Sequence, residues 1–232
     1  MRRGVVFFGL LLSVLGPISW SRAAPIRAPL RQSNLETEAA VARLTVEMSE
    51  DSWSFDPSLG EELWWRYDAA EGGAYRRALV GAMTQWTRAA ARGGQQRPSV
   101  LPQVFEALVR AMEEPDPTSS EPVRGMAPVH RQAPGILEVL DAAAGREGFL
   151  SAELQARWEQ ALAGLLRRRS DEVDERLRAA ALERLAQRPR PVGAALMNAL
   201  RDAAEAEADE GPWPARLALQ NLLPFQGPEL RP

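Results

Sequence analysis

The side chains available to do chemistry are few. The chain holds one histidine, His130, and no cysteine, and all 28 of its basic residues are arginines because lysine does not occur. A histidine base needs a positioned partner, yet His130 stands between Val129 and Arg131 in a proline-rich stretch that supplies none. It reads as a surface-loop residue. A zinc site would lack its usual donors. The acidic run EAEADE at 205–210 lacks the glycine-punctuated ligand alternation of a calcium loop and reads as a solvated helix end. Schiff-base and Ser–Lys mechanisms require the missing lysine. No phosphate-cradling glycine loop and no Gly-x-Ser-x-Gly elbow occurs. The sequence therefore implies no catalytic residue, no metal and no cofactor.

Paired carboxylates are what remains. Glu61 and Glu62 lie beside Trp64, Trp65 and Tyr67, the mixture found in sugar clefts. A two-carboxyl mechanism needs both groups facing one cleft at a set separation, and neighbours on a helix point about 100° apart. Glu61 is also accounted for as the reciprocal partner of Ser58 in a capping box. The aromatic density carries a different message. Trp53, Phe55, Trp64, Trp65, Tyr67, Tyr75 and Trp86 crowd the segment from 53 to 86. Most of these belong in a core, where tryptophan is usually highly buried. Trp64 and Trp65 are adjacent and cannot enter the same slot, so one of them belongs at a boundary. Trp64, Trp65 and Arg66 are thus candidate partner-binding residues, of the types that concentrate binding energy.

The N-terminus has the layout of an export signal. MRRG is positive, VVFFGLLLSVLGPI is apolar, and Ser21 and Ala23 occupy the −3 and −1 positions of a small-residue cleavage site. The uninterrupted run from Val5 to Leu15 falls short of the ~20 residues of a bilayer span. Cleavage after Ala23 is expected, delivering a periplasmic or secreted protein with no inserted segment. Losing Arg2, Arg3 and Arg22 moves the net charge from −3 to −6. An acidic exported chain is a poor nucleic-acid ligand, since phosphate neutralisation needs a basic surface. Without cysteine there are no disulfides, so packing must supply stability.

Positioning falls to helices. Residues 24–33 read as a flexible leader and 34–114 as an aromatic-rich helical region. Within it Asn34 is a plausible cap for a helix with Leu35, Ala39, Ala42 and Val46 on one stripe. Gly72 and Gly73 end the next helix, and Gly93 and Gly94 the one after. Tyr75, Leu79, Ala82, Trp86 and Ala90 share a face, as do Val104, Phe105, Leu108, Val109 and Met112. The proline-rich stretch 115–135 predicts a linker or long loop. Helical hairpins follow over 136–223, with a tail at 224–232. Their stripes include Ile136, Leu137 and Leu140, then Leu154, Trp158, Leu162, Leu165 and Leu166 behind the cap Ser151. Two more run from about Asp171 to Gln187 and from Pro191 to about Ala208, and a last one holds Leu217, Leu219, Leu222 and Leu223. No alternating β pattern occurs, so the class is all-α.

One motif repeats. Ala181-Leu182-x-x-Leu185 returns as Ala218-Leu219-x-x-Leu222, each followed by a proline-containing turn. The helical hairpins over about 136–223, and best over 171–223, resemble HEAT repeats, antiparallel helix pairs that stack into a solenoid because each pair leaves an apolar face for its neighbour to cover. The resemblance implies that Ala179, Ala180, Ala194 and Ala195 let helices approach closely. An irregular helical bundle is the alternative architecture. On the helix packed through Val192, Leu196 and Ala203, Asn198 and Arg201 face nearly the opposite way and join the candidate partner-binding residues if that helix lines the inside of a stack. The expected function is an exported, non-catalytic interaction or scaffolding module for a protein of the cell envelope. The alternative is an envelope enzyme or a sugar- or peptidoglycan-binding protein using the tryptophan-rich helices. A third reading, an accessory subunit of an oligomer, requires a large apolar patch on the isolated chain.

Overall fold

Thr37 opens the first helix: its hydroxyl accepts a hydrogen bond from the Ala40 amide at 3.2 Å, satisfying an amide with no partner inside the helix. In a computed structural model, the structure describes residues 35–50, 53–71, 73–93, 97–113, 129–168, 172–187, 190–207 and 214–225. Among these every regular element is helical: α1 (Glu38–Ser49), α2 (Pro57–Ala69), α3 (Gly73–Arg92), α4 (Leu101–Glu113), α5 (Val129–Ala144), α6 (Ala152–Arg167), α7 (Glu172–Gln187), α8 (Ala194–Ala206), α9 (Pro214–Leu222) and a 3-10 turn at Leu223–Phe225. The signal segment 1–23, the leader 24–33, Asn34, residues 115–128 and the tail beyond Phe225 lie outside the described residues. No described helix is long and apolar enough to cross a membrane.

Substantial packing occurs only between helices one or two positions apart in the chain. Helices α1, α3, α5, α7 and α9 follow one another side by side, and α2, α4, α6 and α8 do the same. The two rows share one core. Leu79, Met83 and Trp86 of α3, Phe105 and Leu108 of α4, Leu137 and Leu140 of α5, and Trp158 and Leu162 of α6 are all buried in it. Burying each such side chain is worth about 1.5–3 kcal/mol. The core continues into Leu182 and Leu185 of α7, Leu196 and Leu200 of α8, and Ala218 and Leu222 of α9.

Side chains from other helices finish several helix ends. The Glu159 carboxylate of α6 accepts from the Gly193 amide at 2.7 Å, capping α8, whose own N-cap glycine has no side chain to offer. Glu207, at the end of α8, accepts from the Ala215 and Arg216 amides of α9, while Arg216 Nε donates to the Ala204 carbonyl of α8 at 3.1 Å. Arg146 donates to the Ala91 carbonyl near the end of α3, and Asn221 to the Ala186 carbonyl of α7. These bonds tie neighbouring helices together while removing unsatisfied terminal groups.

Several sequence expectations need correction. α1 starts later than Asn34 implies and packs through Val41, Leu44 and Met48, leaving Ala39 exposed and Val46 63% exposed. The small apolar residues on its other side suggested the wrong phase. α2 is capped by Asp56, with Pro57 in its first turn, so the Ser58–Glu61 capping box does not form. A proline favours the first helical position, which moves the cap one residue ahead of it. α2 ends at Ala69, and Gly73, at φ 74°, begins α3 instead of terminating α2. α5 begins at Val129, inside the stretch predicted as loop, and takes in His130 and an exposed Pro134. Gly93 follows α3 and Ser151 caps α6, as expected, and Gly145 follows α5. α8 begins at Ala194, beyond Pro191. Ala179, Ala194 and Ala195 are exposed and do not mediate close helix approach, whereas Ala180 is half-buried against the core. Leu217 is 53% exposed, because α9 packs through Ala215, Ala218 and Leu222.

Candidate functional site

The polar faces of α2, α4 and α6 build a groove. Each helix spends one stripe on the core, Leu63 and Tyr67 on α2, Val104 and Leu108 on α4, Trp158 and Leu162 on α6. The remaining stripes meet because these helices lie side by side in one row. A cavity of about 760 Å³ is lined by Trp64 and Asp68 from α2, by Gln103, Glu106 and Arg110 from α4, and by Glu153, Arg157 and Gln160 from α6. A smaller cavity of about 460 Å³ adjoins α2 and the start of α4, lined by Ser58, Glu61, Glu62, Trp64, Trp65, Ser99, Val100 and Gln103. Trp64 and Gln103 belong to both.

The two tryptophans divide as their adjacency requires. Leu63 takes the core slot with 0% exposure, Trp64 is half-buried in the groove wall, and Trp65 is 62% exposed. Arg66 does not join them. It forms an ion pair with Glu62 one turn back and lines neither cavity. Burial opposes the Arg66 charge, but hydrogen bonds to Glu62 and Tyr75 outweigh it and hold the guanidinium above its ordinary value. Asn198 and Arg201 lie on α8, outside both cavities, with Arg201 NH1 3.5 Å from Asn198 Oδ1. The structure therefore brings Trp64 and Trp65 together and separates them from Arg66, Asn198 and Arg201.

The groove floor is held by one arginine. Arg157 reaches from α6 to two carboxylates of α4, with Nε 3.1 Å from Glu106 Oε2 and NH2 2.6 Å from Glu113 Oε2. The paired, planar guanidinium suits this fork. Its hydrogen bonds to Glu113 and Glu106 hold Arg157 above the ordinary arginine value, and the same guanidinium holds Glu113 below the usual carboxylate range. A carboxyl lowered on folding adds stability above its unfolded pKa of about 4.3 and loses it as pH falls through the lower folded value. Urea midpoints should therefore drop on acidification below about pH 4.5, and Glu113→Gln should flatten that part of the profile. A Glu113→Gln profile matching the wild type would remove this pair from the acid response.

Glu61 accepts a hydrogen bond from the Ser99 hydroxyl at 3.4 Å, and Glu62 is engaged by Arg66. The pair is thus divided between different partners. Among the described residues no cluster of His, Asp and Glu suited to a metal ion occurs. Asp68, Gln103, Glu153 and Arg157 carry no motif in the sequence; only Glu153 and Arg157, four apart on α6, share a face by their spacing. Comparison with protein-family models, curated proteins and solved structures finds no match.

Proposed function

We propose that this chain is an exported, non-catalytic interaction module of the cell envelope, built from HEAT-like helical hairpins and docking a protein partner on the α2–α4–α6 face. One observation carries the reading: Trp65 is 62% exposed, and Trp64, half-buried against the core, still lines the groove, so indole surface is left at this face. Tryptophans so placed anchor interfaces. The two-apart packing of the helices supports a stacked-hairpin architecture. So does the repeated Ala-Leu-x-x-Leu motif, whose copies lie on α7 and α9, helices that pack against each other. Export rests on the signal-like residues 1–23.

A saccharide- or peptidoglycan-binding role is the second reading. It draws on the open groove, where Trp64 lies among amide and carboxylate side chains including Gln103, Gln160 and Asp68. The test is affinity capture from envelope extract with the chain lacking residues 1–23, run beside Trp64→Ala. A protein recovered by the wild type and depleted about tenfold with the variant, a change of about 1.4 kcal/mol, is expected. Equal recovery by both, or retention on peptidoglycan with no protein recovered, would overturn the proposal.

A further inference from the structure

Resting on the docking-face reading above, the groove's charge balance narrows the partner. Two of the three arginines in the lining, Arg110 and Arg157, are already answered. Arg157 is shared by Glu106 and Glu113, and Arg110 Nε lies 3.2 Å from Glu106. Those two arginines and two glutamates cancel. What remains around the two cavities is acidic: Glu61, Asp68 and Glu153 are exposed, and among the described residues none of them forms an ion pair. Arg97 is the one remaining cation in that lining. Trp64 lines the larger cavity with Asp68 and Glu153, and Trp64 and Trp65 line the smaller one with Glu61. Indole faces attract guanidinium and ammonium groups, and exposed carboxylates at a groove favour cationic partners through the same field.

We propose that the groove takes an extended cationic peptide segment of a partner protein, with one arginine or lysine side chain against the Trp64 ring and answered by Asp68 and Glu153, and a second beside Trp65 and Glu61. The occupant is polypeptide rather than saccharide, because the uncompensated groove charge would meet no counterpart in a neutral sugar. The groove is open enough for a chain to lie along it, since its two cavities adjoin through Trp64 and Gln103.

The test measures binding of fluorescein-labelled nona-arginine, nona-glutamate and chitotetraose to the chain lacking residues 1–23, at near-physiological salt. Trp64→Ala leaves net charge unchanged, and Asp68→Asn with Glu153→Gln removes two charges at the groove. Asp202→Asn with Glu205→Gln removes two exposed charges from α8, away from it. Nona-arginine should bind, with both groove variants weakening it at least about tenfold and the α8 variant less than about twofold. Circular dichroism and melting temperature check that each variant folds. If Trp64→Ala does not fold, Trp65→Ala on the exposed ring takes its place. Equal weakening by the α8 variant, insensitivity to the tryptophan, or preference for nona-glutamate or chitotetraose would overturn the inference. A protein captured in a Trp64-dependent way without nona-arginine binding would sink the cationic occupant and leave the docking face standing. Failure of both would sink both.

Discussion

Replacing Trp86 with alanine should lower the unfolding free energy by about 3–5 kcal/mol. Trp86 has 0% exposure and sits where α3 meets the start of α2. Its ring packs 5.4 Å from that of Phe55, and its Nε1 donates to the Asp56 carbonyl at 2.9 Å. Alanine would leave a large cavity and strand that carbonyl. The companion position is Gly60. A Cβ built there would lie 2.6 Å from Trp86 Cε2, so the missing side chain is what lets α2 approach the indole. Gly60→Ala alone should cost about 1–3 kcal/mol through overpacking. In the Trp86→Ala background the clash partner is gone, and the same substitution should become neutral or stabilising by up to about 1 kcal/mol through helix propensity. Guanidinium unfolding of the two single variants and the double variant measures this coupling. Additive losses would contradict the packing described.

The second large effect concerns a buried charge. Asp141 of α5 has 2% side-chain exposure and accepts from Arg190 NH2 at 2.8 Å, joining α5 to the segment ahead of α8. Arg190→Ala would leave a carboxylate inside the protein without that cation, a loss of about 3–5 kcal/mol. Removing both charges, Arg190→Ala with Asp141→Leu, should recover most of the loss, since replacing a buried pair by apolar groups is often near neutral. Urea midpoints distinguish the outcomes. A mild effect of Arg190→Ala, under about 1 kcal/mol, would place the pair among surface bridges of little weight.

Much of the fold was legible because helices announce themselves locally. The α4 stripe of Val104, Phe105, Leu108, Val109 and Met112 is wholly buried, as a 3.6-residue period requires. The same holds for Leu154, Trp158, Leu162, Leu165 and Leu166 of α6, and all-α is the observed class. What failed were positions decided by neighbours in space. Small residues take either side of a helix cheaply, so Ala39 and Val46 misled the phase of α1, and Ala194 and Ala195 turned to solvent. The proline-rich stretch 115–135 predicts a linker or long loop, yet Pro134 occupies an exposed position in the early turns of α5, where one absent amide costs less than abandoning the buried stripe that follows it.

The site followed the same rule. The neighbouring tryptophans forced one ring toward the surface on local geometry alone, and Trp65 is that ring. Arg66, also between helix neighbours, has its own carboxylate one turn back, an i,i+4 pairing with Glu62 that was visible in the sequence. That Trp64 would share a groove with Asp68, Glu153 and Arg157 was not visible, because it depends on α2, α4 and α6 lying in one row. Order of that kind is set by packing between helices two positions apart in the chain, which no single helix's periodicity encodes.

Exposure-matched photocrosslinking tests the central claim most directly. A photoreactive phenylalanine analogue is placed at Trp65 or at Val46, which are 62% and 63% exposed, in cells that export the protein. Light should join the Trp65 position to a protein partner, giving a larger species that contains peptides of a second protein, while the Val46 position gives none. Equal products from both positions, or a Trp65 product that a glycan hydrolase returns to the chain's own size, would contradict a protein-docking groove.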